Sequence, residues 1–295
     1  MRARGLEFAV WTSPAVPDAL PLVCINGGLL YDHKILWPAL APLAAHRQLV
    51  LYDQRGRGAS QAPPGVRAAR IEHDAGDLRA IRAALGVDRW DVLGHSWGGG
   101  IALLGVVQDQ EATRKLVLVD PVGAASEWLP RLHDSAVAYL GVHNPAARDV
   151  LAALDPERLT EPDPETHSTY ARAYYPAWFA DQELATLFVP PRTASRIGAA
   201  VAARLRREGY DWRESLRALS VPSLVIHGER DLIPVEQSRR TVHLLPHARL
   251  ELVADAGHMP FWEAPGRFFG LVDAFLGTTT HALSPAPTSL VSSPR

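Results

Sequence analysis

The 295-residue sequence has a single cysteine, Cys24. One cysteine excludes a disulfide framework within the chain and is typical of a reducing compartment. Cys24 lies in an apolar strand pattern, so we interpret it as a small core residue. The sequence also lacks an apolar run of about eighteen residues, the length a helix needs to cross a bilayer. Its start carries no apolar stretch typical of a signal peptide. These absences predict a cytoplasmic protein without a membrane span.

An excess of charge of one sign is missing as well. Lys and Arg number 30 against 32 for Asp and Glu, which gives a formal net charge of −2. Such a balance offers no basic surface for nucleic acid or for an anionic membrane, so neither is expected as a partner. The hydrophobic fraction of 47% is high enough to bury a large core.

Strand and helix patterns alternate along most of the chain. Helical spacing over Glu72–Leu85 places apolar residues three and four positions apart. The predicted strands before residue 121 are Leu6–Trp11, Leu22–Ile25, Gln48–Tyr52, Trp90–Leu93 and Leu116–Val119. This rhythm is typical of βαβ units, so we expect an α/β fold with a mostly parallel twisted sheet flanked by helices.

The rhythm is interrupted once, between residues 121 and 219. Strand patterns disappear there, and prolines divide the segment into short helical stretches. A segment of this length needs structure of its own. We therefore predict a helical cap over 121–219, inserted after the sixth strand, and a core domain built from 1–120 and 220–276. The stretch 277–295, rich in Thr, Ser and Pro, is predicted to be a disordered tail.

The most informative motif places Ser96 between Gly94 and Gly98 in a G-x-S-x-G frame. An apolar strand, Trp90–Leu93, leads into the frame, and a helical pattern, Ile101–Leu104, follows it. A serine at a tight strand-to-helix turn is exposed at the helix N-terminus, and the flanking glycines let neighbouring chain pass closely. This context predicts that Ser96 is a nucleophile.

Two later strand ends supply partners for this serine. Asp231 follows the strand pattern that starts at Val221, and His258 follows the pattern that starts at Leu250. We expect His258 to act as general base and Asp231 to orient it. Asp120, at the end of Leu116–Val119, is the alternative acid. Asp255 is too close to His258 in sequence to be its partner.

An oxyanion hole needs two backbone N–H groups near the nucleophile. One is expected from Trp97, which follows Ser96. The other is expected from the turn after Leu22–Ile25, where we assign Gly28, with Leu29 as the neighbouring alternative. Neither a metal nor a cofactor is required by this constellation.

Three features together resemble the α/β-hydrolase superfamily: Leu93-Gly-His-Ser-Trp-Gly-Gly, Tyr52-Asp-Gln-Arg-Gly-Arg-Gly-Ala-Ser and the inserted cap. Within it, the sequence up to about Leu276 is most similar to the proline iminopeptidase branch. The resemblance implies a serine hydrolase with an acyl-enzyme intermediate, in which Asp53, Arg55 and Gly56 shape a turn without reacting. In the iminopeptidases the oxyanion turn usually reads His-Gly-Gly-Pro-Gly, whereas this sequence reads Asn26-Gly-Gly-Leu-Leu.

Three hypotheses of function remain open from the sequence. The first is an aminopeptidase of the proline iminopeptidase kind, acting on a short peptide. The second is an esterase, lactonase or C–C bond hydrolase acting on a small apolar molecule. The third is a ligand receptor on the same fold, which the intact Ser96, Asp231 and His258 set disfavours. Under the first two, cap aromatics such as Tyr174, Tyr175 and Trp178 are candidates for substrate binding.

Overall fold

The computed structural model describes residues 1–189 and 195–277, together with the backbone of Val291–Ser292. The strands in this part of the chain are β1 (Arg2–Ala3), β2 (Leu6–Glu7), β3 (Val10–Thr12), β4 (Leu22–Ile25), β5 (Leu49–Tyr52), β6 (Trp90–His95), β7 (Thr113–Val119), β8 (Ser223–Gly228), β9 (Ala248–Val253) and β10 (Val291–Ser292). The α-helices are α1 (Ile71–Ala84), α2 (Trp97–Gln108), α3 (Leu132–His143), α4 (Pro145–Ala152), α5 (Pro164–Tyr174), α6 (Gln182–Leu187), α7 (Arg196–Glu208), α8 (Arg213–Leu216), α9 (Val235–Leu244), α10 (Pro260–Glu263) and α11 (Pro265–Leu276).

Within the described residues, eight strands form one sheet in the order β10-β3-β5-β4-β6-β7-β8-β9. Every neighbouring pair from β5 to β9 is parallel, while β3 and β10 join antiparallel at one edge. The mostly parallel sheet flanked by helices is therefore confirmed. The predicted strand Leu6–Trp11 is divided, because Leu6–Glu7 pairs with β1 and only Val10–Thr12 enters the main sheet.

The sheet separates two apolar layers. Side chains alternate between the faces of a strand, so Val92 packs in the layer with α1 and α2 while Leu93 packs in the opposite layer with α11. All residues of β4, β5, β6 and β8 are buried. Burial on both faces explains why β4 and β5 are continuous apolar runs in the sequence.

Between β7 and β8 the described residues form the helices α3 to α8. This helical segment corresponds to the cap predicted over 121–219. It follows the seventh strand in chain order, because the short strands β1 and β2 are counted separately from β3. It has an apolar cluster of its own, which includes Leu140, Leu151, Leu159 and Tyr174. An isolated bridge between Ala125 and Asp211 ties the two ends of the segment together.

The predicted disordered tail falls largely outside the described residues. Within it, Val291–Ser292 pair antiparallel with Trp11 and Thr12 of β3. No helix in the described ranges is long and apolar enough to span a membrane.

Candidate active site

The turn at Ser96 connects β6 to α2 with a backbone conformation that residues with a side chain rarely adopt. Ser96 has φ 56° and ψ −124°, and its N–H donates to the carbonyl of Val119 at 2.9 Å. A Cβ on Gly98 would lie 2.1 Å from the carbonyl oxygen of Ile25, and one on Gly94 would lie 2.4 Å from that of Gly98. Glycine is therefore required on both sides of Ser96, as the motif predicted.

His258 and Asp231 lie at the carboxyl ends of β9 and β8 and are in direct contact. The Nδ1 of His258 is 2.9 Å from Oδ2 of Asp231. Burial opposes ionisation of Asp231, but the adjacent His258, its hydrogen bond and His227 outweigh burial and lower the pKa of Asp231. The carboxylate is therefore held ionised beside the imidazole.

Asp120, the alternative acid, lies in the same buried region without contacting the imidazole of His258. Its Oδ1 accepts a hydrogen bond from the N–H of Gly228 at 2.7 Å. Burial and the neighbouring charge of Asp231 raise the pKa of Asp120 well above its usual range. Asp120 is therefore a neutral carboxylic acid next to Asp231. The excluded candidate, Asp255, is exposed and pairs with Arg230 at 2.6 Å.

The main chain of His258 is held by partners that no sequence motif indicated. Burial lowers the pKa of His95 to about 3, so its ring is neutral. Its Nε2 lies 2.9 Å from the carbonyl oxygen of His258 and donates to it. The N–H of His258 donates to the carbonyl of Trp178 in the cap at 2.8 Å. The imidazole is thus positioned by both the elbow and the cap.

A second connection between the cap and the histidine loop runs through Glu263. Its carboxylate accepts hydrogen bonds from Ala180 and Asp181 of the cap at 2.6 and 3.1 Å. It also accepts from Gly257 and Met259, on either side of His258, at 2.8 and 3.4 Å. Burial raises the pKa of Glu263, and these four N–H groups partly offset that effect.

The two expected oxyanion donors, Gly28 and Trp97, both border the cavity over Ser96. Trp97 is the first residue of α2, where the N–H has no acceptor within the helix. The preceding glycine, Gly27, lies against the elbow, since a Cβ there would be 2.5 Å from Cβ of Ser96. The turn 26–28 and the elbow are therefore in van der Waals contact.

The cavity over Ser96 has a volume of about 150 Å³ and is bordered by both the core and the cap. The three cap aromatics singled out from the sequence, Tyr174, Tyr175 and Trp178, all line it. The ring of Trp178 lies 4.4 Å from that of His258. None of the described residues that line this cavity is an aspartate or a glutamate. Trp128, another aromatic of the predicted cap, lines it as well, whereas the lining residues Tyr31, Ile35, Leu132, Ile233 and Met259 were not indicated by the sequence.

Among the described residues, two groups of carboxylate and imidazole side chains have the spacing of metal ligands: Asp120 with His227 and Asp231, and His33 with Asp32 and Asp53. In the first group, His227 has Ser238 Oγ and the carbonyl of Ile233 as its ring partners. In the second, Asp53 accepts from the N–H groups of His33 and Ala59 and contacts the His33 ring. The hydrogen bonds of His227 and Asp53 to neighbouring protein groups therefore explain why the side chains of each group lie so close together.

Comparison with known proteins agrees with this architecture. The sequence profile of the alpha/beta hydrolase fold matches residues 21–265. Proline iminopeptidase of Lactobacillus delbrueckii subsp. bulgaricus is 28% identical over 281 residues, which cover 88% of this chain and 90% of that protein. The 2-hydroxymuconate semialdehyde hydrolase of Pseudomonas putida is 29% identical over 241 residues, covering 78% and 77%. A thermophilic esterase from Thermogutta terrifontis superposes with a TM-score of 0.64 at 24% identity, covering 94% and 95%. This chain therefore belongs to the α/β-hydrolase fold family, lies near its proline iminopeptidase branch and is a hydrolase enzyme.

Proposed function

We propose that this protein is a serine hydrolase that cleaves an ester, lactone or C–C bond in a small, mainly apolar acyl compound. The observation that carries the proposal is the composition of the cavity over Ser96. It brings the candidate nucleophile and His258 together with apolar and aromatic walls, and its described lining includes no carboxylate.

In the proposed mechanism, Ser96 Oγ attacks the carbonyl carbon of the substrate while Nε2 of His258 removes the hydroxyl proton. Asp231, ionised and 2.9 Å from Nδ1, fixes the tautomer of His258 and stabilises its protonated form. The N–H groups of Gly28 and Trp97 donate to the oxyanion. His258 then gives its proton to the leaving group, and an acyl-enzyme remains on Ser96 until water hydrolyses it.

The cavity also bears on the choice between the two hydrolase hypotheses. An aminopeptidase has to bind the charged amino terminus of its substrate, and a desolvated ammonium group needs an anionic or strongly polar partner. Glu263, whose carboxylate bonds to both the cap and the histidine loop, is occupied by four backbone N–H groups. Apolar walls without a free carboxylate favour a neutral acyl group over an amino-acyl group.

The second candidate is a proline iminopeptidase activity. It is favoured by the 28% identity with the Lactobacillus enzyme over 281 residues. An apolar cavity of about 150 Å³ also has room for a proline ring. This candidate requires an amine-binding group from outside the described lining.

Turnover of matched chromogenic substrates separates the two candidates. We expect p-nitrophenyl butyrate to be hydrolysed and proline p-nitroanilide to be inert, with Ser96→Ala as the inactive control for both. Hydrolysis of proline p-nitroanilide with a higher kcat/KM than the ester would favour the peptidase instead. Failure of every ester and anilide would contradict both candidates.

A further inference from the structure

The turn 26–28 begins with Asn26, a polar residue that is only 1% exposed and has no role in the proposed mechanism. Nδ2 of Asn26 donates to the carbonyl oxygen of Gly27 at 3.2 Å and to that of Tyr31 at 3.1 Å. Both hydrogens of the amide are therefore used within the same turn. A buried amide whose donors are satisfied in this way is held in one orientation.

The carbonyl of Gly27 and the N–H of Gly28 belong to one peptide group, which is trans. Because a trans peptide is planar, its C=O and its N–H point in opposite directions. The hydrogen bond that holds the Gly27 oxygen therefore also fixes the direction of the Gly28 N–H. That N–H has no acceptor in the described part of the chain, and Gly28 borders the cavity over Ser96.

The backbone that follows this peptide needs support from outside. Gly28 has φ 80° and Leu29 has φ 49°, which is the left-handed region that a leucine rarely adopts. Such a conformation persists only where the surrounding contacts determine it. The side chain of Asn26 supplies two of these contacts, because it joins the carbonyls of Gly27 and Tyr31 on either side of the two positive-φ residues.

The turn after β5 supports Asn26 in its place. Nε2 of Gln54 donates to Oδ1 of Asn26 at 3.2 Å and to its carbonyl oxygen at 3.0 Å. A donor facing Oδ1 disfavours the flipped amide, in which Oδ1 would face the carbonyl of Gly27. Nε of Arg57 donates to the carbonyl of Leu29 at 2.7 Å. Gln54 and Arg57 therefore hold the oxyanion turn at two points.

From these contacts we propose that Asn26 is a positioning residue of the oxyanion hole, which acts through the peptide between Gly27 and Gly28. Its side chain holds the carbonyl of Gly27, so that the N–H of Gly28 is directed at the substrate oxygen. Gln54 keeps the amide of Asn26 in the orientation that this requires. The inference rests on the proposed function, since an oxyanion forms only if Ser96 attacks a carbonyl carbon.

Asn26→Asp tests this inference with almost no change in side-chain volume. A carboxylate oxygen cannot donate to the carbonyl of Gly27, so the peptide is released. We expect kcat/KM for p-nitrophenyl butyrate to fall by about 100-fold, as for the loss of one oxyanion donor. Most of the loss should lie in kcat, because the bound ester has no oxyanion and only the transition state needs the donor.

The thionoester, p-nitrophenyl thionobutyrate, provides a readout that a purely structural role would not change. Sulfur is a weak hydrogen-bond acceptor, so an intact oxyanion hole favours the oxygen ester. The ratio of the two kcat/KM values is independent of the fraction of active protein. We expect Asn26→Asp to lower this ratio by about tenfold or more. Gln54→Met should lower it by a smaller factor, because the amide of Asn26 is then free to flip.

Two variants outside the site serve as controls. Asn144→Asp makes the same substitution at the other asparagine of the sequence, which caps α4 and does not line the cavity over Ser96. Ser13→Ala removes a buried hydrogen bond elsewhere, the one that Ser13 Oγ accepts from the N–H of Leu49 at 2.8 Å. Both should keep the wild-type ratio.

The outcomes separate this inference from the proposed function. A wild-type ratio in Asn26→Asp or in Gln54→Met would overturn the inference and leave the proposed function standing. The same fall of the ratio in the two controls would also overturn it. A wild-type protein that hydrolyses neither ester would contradict the proposed function, and this inference with it.

Discussion

The carboxyl groups of Asp120 and Asp231 lie side by side near His258. An oxygen of each and a ring nitrogen of His227 are all within 4.8 Å of one another, and both aspartate side chains are fully buried. Two adjacent buried carboxylates cannot both ionise without a large penalty. Asp231 is ionised beside His258, so the proton remains on Asp120. Oδ1 of Asp120 accepts from Gly228, which leaves Oδ2 as the protonated oxygen.

This arrangement predicts opposite outcomes for two asparagine variants. Asp231→Asn should reduce kcat by about 10⁴, because an amide cannot hold His258 in the required tautomer or stabilise its protonated form. Asp120→Asn should retain most of the activity, because an amide accepts and donates hydrogen bonds as a neutral carboxylic acid does. Steady-state hydrolysis of the best ester substrate measures both. A large loss in Asp120→Asn with little loss in Asp231→Asn would assign the acid to Asp120.

The same neutral acid predicts a pH dependence of stability. Asp120 keeps its proton in the folded state but loses it on unfolding above a pH of about 4. The folded state then binds one proton more than the unfolded state, so the free energy of unfolding falls as pH rises. This contribution is fully present below the unfolded pKa and is lost progressively up to the raised folded pKa.

Asp120→Asn removes that titration. We expect the variant to gain stability relative to the wild type by about 1.4 kcal/mol per pH unit above pH 4, until the folded pKa is reached. Urea unfolding at pH 5, 6 and 7 measures the difference. A difference that is constant over this range would show that Asp120 is ionised in the folded protein.

Close packing around Ser96 predicts the effect of a single methyl group. A Cβ on Gly27 would meet Cβ of Ser96 at 2.5 Å and the carbonyl oxygen of His95 at 2.7 Å. Gly27→Ala should therefore displace the elbow or the turn 26–28 and lower kcat by about 100-fold. Gly270→Ala in α11 is the control, since a Cβ there meets nothing within 4 Å. It should leave kcat unchanged and stabilise the protein by about 0.5–1 kcal/mol. Full activity in Gly27→Ala would contradict this account of the elbow.

The hydrogen bonds of Glu263 predict that the cap and the histidine loop loosen together. In Glu263→Gln one acceptor oxygen is replaced by an NH₂ group, which would face backbone N–H donors. We expect a loss of about 1–3 kcal/mol in unfolding free energy, together with a lower kcat/KM. Glu251→Gln serves as the control, because Glu251 makes surface ion pairs with Arg267 at 3.2 Å and Arg249 at 3.8 Å, each of which contributes about 0–1 kcal/mol. Equal stability of the two variants would refute the connecting role of Glu263.

The residues that could be predicted from the sequence are those at the ends of strands. Ser96, Asp231 and His258 each follow an apolar strand pattern, and parallel strands bring their carboxyl ends to one edge of the sheet. From that rule one can predict that the three side chains lie close together, but not the distances between them. The placement of Gly28 and Trp97 follows from the same rule.

What could not be predicted depends on contacts between residues that are distant in sequence. His95 donates to a carbonyl 163 residues away, and Glu263 accepts from N–H groups 82 and 83 residues away. No local pattern encodes such bonds. The protonation of Asp120 likewise follows from its burial next to Asp231, which the sequence could only present as an alternative acid. The division of Leu6–Trp11 into two strands depends on pairing partners and not on its apolar pattern.

Covalent labelling with a fluorophosphonate tests the central claim, that Ser96 is a nucleophile activated by His258 and Asp231. The reagent reacts with activated serines and needs no knowledge of the substrate. We expect the wild type to be labelled at Ser96, Ser96→Ala to remain unlabelled and His258→Ala to react far more slowly. A folded wild-type protein that is not labelled, or label that persists in Ser96→Ala, would contradict the account.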